Sequence, residues 1–70
     1  MSETVFTLSG DFIELSKLLK ASGLCDSGGA AKVAILQSEV KVDGEIETRK
    51  GRKIRRGQRV EFLGHVIVVG

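Results

Sequence analysis

At Val40 the hydrophobic period of this chain changes from that of a helix to that of a strand, and that change sets the class of fold. Upstream, Phe12, Leu15, Leu18 and Leu19 recur at helical spacing and make one apolar face. Asp11, with Glu14 three residues on, reads as a capping box at the start of this helix. Lys17 and Lys20 fall on its opposite side. Gly23 is placed to stop it, with Leu24 closing the end by an apolar contact. A second helix follows at once, capped by Asp26 or Ser27. Gly28 and Gly29 are poor helix residues, each costing about 1 kcal/mol relative to Ala. In a first turn that cost is tolerable where backbone must approach a neighbour or a ligand. Ala30, Ala31, Val33, Ala34, Ile35 and Leu36 then form a small-residue face suited to close packing on the first helix, and Lys32 is the one charge.

Downstream the period is two. Val40 and Val42 alternate with Lys41, and Asp43-Gly44 is the favoured pair for a type I′ hairpin turn. Glu45-Ile46-Glu47-Thr48 returns from it. Gly57-Gln58 turns into a strand over 59–63, Gly64-His65 suits a type II′ turn, and Val66–Val69 is the last strand. Residues 4–8 read as a further short strand ended by Ser9-Gly10. The expected fold is α+β: two short antiparallel helices packed on a small, twisted, mainly antiparallel sheet. Residues 1–70 make one domain, with 1–10 as an N-terminal extended segment.

Seventy residues leave room for one small core, burying roughly 60% of the unfolded surface. Cys25 is the lone cysteine, which fits a reducing compartment and rules out an internal disulfide. Cys25 and His65 are the only soft metal ligands, too few for structural zinc, so neither metal nor cofactor is expected. Met1–Ser9 has no basic region or apolar core of a signal peptide. No apolar run approaches the roughly 20 residues of a membrane span. A cytoplasmic, soluble protein is expected, with a monomer favoured.

Charge is strongly segregated. The run from Arg49 to Arg59 holds seven basic residues and no acid, whereas residues 1–48 carry four lysines against eight carboxylates. Such a block is the footprint of a surface that meets phosphates. Arg49, Lys50, Arg52, Lys53, Arg55 and Arg56 are the first candidates, because guanidinium forks donate paired hydrogen bonds to phosphate oxygens. Ile54 should anchor the middle of the run in the core. Strict alternation places Arg49, Gly51, Lys53 and Arg55 on one side and Lys50, Arg52, Ile54 and Arg56 on the other, unless Gly51 bends the chain.

The stretch from Ile13 to Phe62 resembles the RNA-binding domain named after ribosomal small-subunit protein four, also called the αL motif. The resemblance is carried by Leu15…Leu18-Leu19-Lys20…Gly23-Leu24, by Ser27…Ala31-Lys32…Ile35 and by Val40-Lys41-Val42-Asp43-Gly44. Ile54…Gly57-Gln58-Arg59-Val60 matches the turn into the family's final strand. Together these cover about three quarters of the chain. Ser27-Gly28…Ala31-Lys32 and the stretch from Lys41 to Lys50 are similar to the small stand-alone bacterial YbcJ-like group. The sequence departs from the family at the start of helix two, where Asp26, Ser27 and Gly28 stand in place of basic residues, and at Asp43, where Asn is common.

The resemblance implies noncatalytic binding of structured RNA, ribosomal or transfer RNA being the expected partner. Lys32 and Lys41 extend the basic rim. Lys17, Lys20, Ser27, Gly28, Gly29 and Arg59 are secondary contacts, the glycines because bare backbone N–H groups at a helix start can meet phosphate. With Tyr and Trp absent, Phe6, Phe12 and Phe62 read as core residues, which argues against base stacking. Catalysis is not expected, since no nucleophile–base pair stands out. Glu39, Asp43, Glu45 and Glu47 read as balancing nearby cations. The alternative is a protein-interaction module, with the basic strand on an acidic partner or Val66–Val69 as a free sheet edge.

Overall fold

The computed structural model describes residues 2–70. The chain runs β1 (Ser2–Phe6), β2 (Ile13–Glu14), α1 (Leu15–Ala21), α2 (Gly28–Leu36), β3 (Val40–Val42), β4 (Glu45–Ile46), β5 (Lys53–Ile54), β6 (Arg59–Phe62) and β7 (His65–Val69). The α+β class read from the sequence is the one observed: α1 and α2 pack together beside a five-stranded sheet of order β1-β7-β6-β3-β4. Every pair in that sheet is antiparallel except β1 with β7. β2 and β5 form a separate antiparallel ribbon with Ile13 opposite Ile54.

One core joins the layers. Leu15, Leu18 and Leu19 of α1 meet Ala31, Ala34 and Ile35 of α2, and Val40, Val60, Ile67 and Val69 come from the sheet. Ile54 reaches the same core from the ribbon and is fully buried. Apolar spacing thus turns into burial on both helices, but on a narrower stripe of α2 than its composition suggests. Val33 and Leu36 point outward, because only Ala31, Ala34 and Ile35 share the inward face at i, i+3, i+4.

The period-two segment folds as expected at its first turn. Asp43 and Gly44 take φ of 51° and 86°, the two positive values that a type I′ hairpin demands. The Asp43 carboxylate adds a tie of its own: Oδ1 accepts from the Arg59 backbone N–H at 2.9 Å and Oδ2 from Gln58 Nε2 at 3.1 Å. Those bonds, the backbone N–H first, hold its pKa below the ordinary carboxylate value.

Five expectations are corrected. Asp11 does not cap α1; the N-cap is Glu14, without a side-chain cap, because Ile13 and Glu14 are already committed to pairing with β5. Phe12 therefore lies outside the helix and off the core. The first strand is Ser2–Phe6 rather than 4–8, set by its parallel register with His65–Val69; Met1 of the extended segment lies outside the described residues. The last turn centres on Leu63 and Gly64, at φ 47° and 83°. His65 opens β7 instead, its Nδ1 hydrogen-bonded to Ser2 Oγ. Finally, Val66–Val69 is not a free edge, since β7 is flanked by β1 and β6.

Ile54 joins the ribbon to the core, so its truncation is the sharpest test of this packing. Ile54→Ala is expected to lower unfolding free energy by about 2–5 kcal/mol, read as a lower urea midpoint at an unchanged m-value. A midpoint equal to that of the wild type contradicts the assignment.

Candidate nucleic-acid interface

The basic run is neither a long strand nor a tail. It is two tight turns joined by β5. Arg52 N–H donates to Arg49 C=O at 3.2 Å in the first turn, and Gln58 N–H to Arg55 C=O at 3.2 Å in the second. Gly51 thus sits in a turn, and strict alternation along 49–56 fails there. It holds locally at β5, where Ile54 points in while Lys53 and Arg55 point out.

Two backbone bonds fasten the first turn to α1. Leu15 N–H donates to Arg52 C=O at 2.9 Å and Ser16 N–H to Lys50 C=O at 3.2 Å. These N–H groups open a helix and have no partner within it. The basic run supplies the carbonyls, and in doing so brings Lys50 against α1.

The result is a cleft of about 380 Å³ lined by Lys17, Lys20, Lys32 and Lys50 together with Glu14, Ser16, Gly28 and Gly51. α1 contributes Lys17 and Lys20, α2 contributes Gly28 and Lys32, and the turn contributes Lys50 and Gly51. A Cβ at Gly28 meets nothing within 4 Å, so the start of α2 is open toward this space. Ser27 is committed to structure: its Oγ accepts from Ala30 N–H at 3.1 Å as the N-cap of α2. Gly29 lies beside that same Oγ, at 3.8 Å from a Cβ built on it, and does not line the cleft.

Four lysines face one carboxylate here, and Glu14 is engaged by Lys17 at 3.3 Å. Lys20, Lys32 and Lys50 form no ion pair among the described residues. Like charges held together in a concave site raise the local concentration of anions.

The arginines are arranged differently. Glu47 is buried, and its carboxylate gathers Arg49 Nε at 3.1 Å, an Arg49 terminal nitrogen at 3.0 Å, Arg49 N–H at 3.3 Å and Arg52 at 2.7 Å. The Arg49 side-chain bonds lead in pulling the Glu47 pKa down to about 2, burial opposes them, and Arg52 adds to the lowering. Arg56 donates to Leu8 C=O at 2.9 Å, and Arg59 meets Glu3 at 3.5 Å. Lys41 stands apart, in a groove with Glu39 and Glu61. Lys53 and Arg55 instead lie over the ring of Phe12, with Lys53 Nζ 4.9 Å and Arg55 Cζ 5.8 Å from its centroid.

The structure therefore brings together Lys17, Lys20, Lys32, Lys50 and Gly28, with Lys53 and Arg55 on the adjoining face. It does not bring Lys41 or Arg59 to the same place, and it ties Arg49 and Arg52 to a carboxylate that lies just before the run. Glu14, Ser16 and Gly51 were not foreseen as lining residues, because only the turn at Gly51 brings them side by side. Burial holds the Cys25 thiol above its usual pKa, with Asp26 and Glu39 adding to the rise. Among the described residues no helix is long and apolar enough to cross a membrane.

Two helices packed beside a small, mostly antiparallel sheet, with lysines gathered where helices and turn meet, define a small α+β domain with a cationic cleft. The sequence model of the S4 domain family matches residues 6–70, and the chain belongs to that family. "Putative RNA-binding protein YbcJ" of Escherichia coli strain K12 is 53% identical over 57 residues, 81% of each chain. The tyrosine–tRNA ligase of Ralstonia nicotianae is 42% identical over 57 residues, 81% of this chain but 14% of the enzyme. "Probable ribosome maturation protein RlbA" of Bacillus subtilis strain 168 is 36% identical over 58 residues, 83% of this chain and 82% of that one. The solution structure of E. coli YbcJ, described as having an αL motif involved in RNA binding, superposes with a TM-score of 0.74 at 48% identity, covering 94% of this chain and 85% of that one.

Glu47 gives the site a measurable pH signature. Its folded pKa of about 2 lies below the ordinary 4.5, so its stabilising contribution is complete above about pH 4.5 and fades as pH falls toward 2. Glu47→Gln should be less stable than wild type at neutral pH, with the gap closing across that acid range. Parallel stability curves for the two proteins over the same range contradict the pairing.

Proposed function

We propose that this protein binds structured RNA without catalysing a reaction on it, and that the lysine cleft between α1, α2 and the 49–52 turn receives the phosphate backbone. The observation that carries this reading is the convergence of Lys17, Lys20, Lys32 and Lys50 on one concavity, three of them without an ion-pair partner among the described residues. Lysines from two helices and a turn line one concavity, which suits the phosphate backbone of a folded RNA. The RNA-binding description of YbcJ, the ribosome maturation named for RlbA and the tRNA substrate named for the ligase support a ribosomal or transfer RNA as the target. The likeness to the ligase extends over a small segment of that enzyme, which accords with a binding module rather than a catalyst. A cytoplasmic site of action and a monomeric state fit this role.

Lys53 and Arg55 extend the proposed surface beyond the cleft. Arg49 and Arg52 act first as framework: their pairing with Glu47 fixes the turn that carries Lys50. Arg49 keeps most of its side chain in solvent, 73% exposed against 34% for Arg52, and is the better placed of the two for a further contact. Lys41 and Arg59 are peripheral.

Fluorescence anisotropy at several salt concentrations separates these roles. Each phosphate-contacting lysine replaced by Ala should flatten the slope of log K against log salt by roughly one. Lys20→Ala, Lys32→Ala and Lys50→Ala are expected to do so, while Lys41→Ala leaves the slope unchanged. Equal behaviour of all four variants contradicts the cleft as the phosphate site. Sequencing of RNA crosslinked to the protein in cells identifies the target, and recovery of neither ribosomal nor transfer RNA contradicts that part of the reading.

A further inference from the structure

Phe12 is the one aromatic among the large apolar residues that the fold leaves exposed. Ile13 and Leu15 nearby both turn toward the core, yet Phe12 is 40% exposed. The cause lies in the ribbon. Ile13 pairs with Ile54 and Glu14 with Lys53. Continuing that antiparallel register by one step sets Phe12 opposite Arg55. Side chains alternate along a strand, so Phe12, Glu14, Lys53 and Arg55 share the outward face while Ile13 and Ile54 share the inward one.

On that face the ring is held by two cations, Lys53 and Arg55, neither of which has a carboxylate partner among the described residues. Their placement within about 6 Å of the centroid is that of cation–π contacts. The ring also borders a groove of about 330 Å³ shared with Ile13, Glu14, Lys17 and Lys53. Lys17 and Glu14 line this groove and the lysine cleft alike, so the two are one continuous surface. Both cations lie over the ring, and a base reaches its face when these long side chains swing out to the flanking phosphates, an arrangement of aromatic ring and cations that suits single-stranded nucleic acid.

We infer that Phe12 is a nucleobase-binding residue: an unpaired base stacks on its ring while Lys53 and Arg55 hold the flanking phosphates. This rests on the RNA-binding function proposed above and narrows it, because a base within a continuous duplex offers no free face to a side chain. The preferred ligand is then RNA with an unpaired nucleotide, in a loop or bulge, next to a helical stem that the lysine cleft can follow. An apolar protein partner fits poorly, since the cations around the ring would lose hydration without receiving an anion.

The test uses the full chain with two RNA probes: a hairpin carrying an adenine-rich loop with 2-aminopurine in it, and a blunt duplex of the same stem. Wild type should bind the hairpin more tightly than the duplex and quench the 2-aminopurine. Phe12→Ala should weaken hairpin binding roughly tenfold or more and abolish the quenching while leaving duplex binding unchanged. Phe12→Trp should restore both, and Phe12→Leu, which keeps apolar bulk without a π face, should restore neither. Circular dichroism and urea unfolding check that the variants remain folded, as expected for an exposed position. If Phe12→Ala leaves the preference for hairpin over duplex intact, or Phe12→Leu rescues it, the stacking role is overturned while RNA binding stands. If wild type binds neither probe, the RNA-binding reading fails and the stacking role fails with it.

Discussion

The docking of the 49–54 segment on the start of α1 is the constraint on which the rest of the surface depends. Two carbonyls of the basic run satisfy N–H groups that open α1, and Ile13 lies opposite Ile54 with the latter buried. Backbone hydrogen bonds at a helix start are indifferent to side-chain charge. Through them a segment dense in like charges can be fixed against the domain while its cationic groups stay in water. Ile54 adds the apolar anchor. Without that attachment the run would be a repelling, solvated tail, and Lys50 would not stand with the lysines of the two helices.

Glu47 solves the complementary problem. Arg49 and Arg52 are close in space because the 49–52 turn is tight, and their mutual repulsion acts against that turn. One buried carboxylate accepting from both converts the repulsion into a bridge. A buried carboxylate is costly when unpaired but tolerable when its acceptor sites are filled by charged donors. Here three side-chain nitrogens and one backbone N–H fill them. The arginines that look most like ligand groups in the sequence therefore serve first to shape the turn, and the lysines take the open positions.

Much of the fold was legible because its signals are local. The spacing of Leu15, Leu18 and Leu19, the Ser27 cap and the Asp43-Gly44 turn each act within a few residues. Gly23 follows the C-cap of α1, at φ 84°, as its position predicts. What was not legible depends on partners distant in sequence. Asp11 and Glu14 have the letters of a capping box, but pairing with Lys53 and Ile54 overrides it. The last turn moved by one residue because the register of β6 with β7 puts Phe62 opposite His65, leaving Leu63 and Gly64 between them. The basic run announced itself by composition. Which of its members are spoken for could not be read there, since that is decided by Glu47, Leu8 and Glu3.

The same distinction bears on Phe12. At helical spacing it belongs with Leu15 and Leu19 on an apolar face, and scarcity of aromatics then argues against base stacking. The ribbon removes it from the helix and reverses its orientation, and the change of one residue's side alters the kind of RNA the surface suits. A track of lysines alone follows a backbone and is insensitive to base pairing. An aromatic ring at the end of such a track makes the surface respond to whether a base is free. Selectivity in this domain then arises from a two-residue strand, because β5 both orients Phe12 through its partner β2 and supplies Lys53 beside the ring.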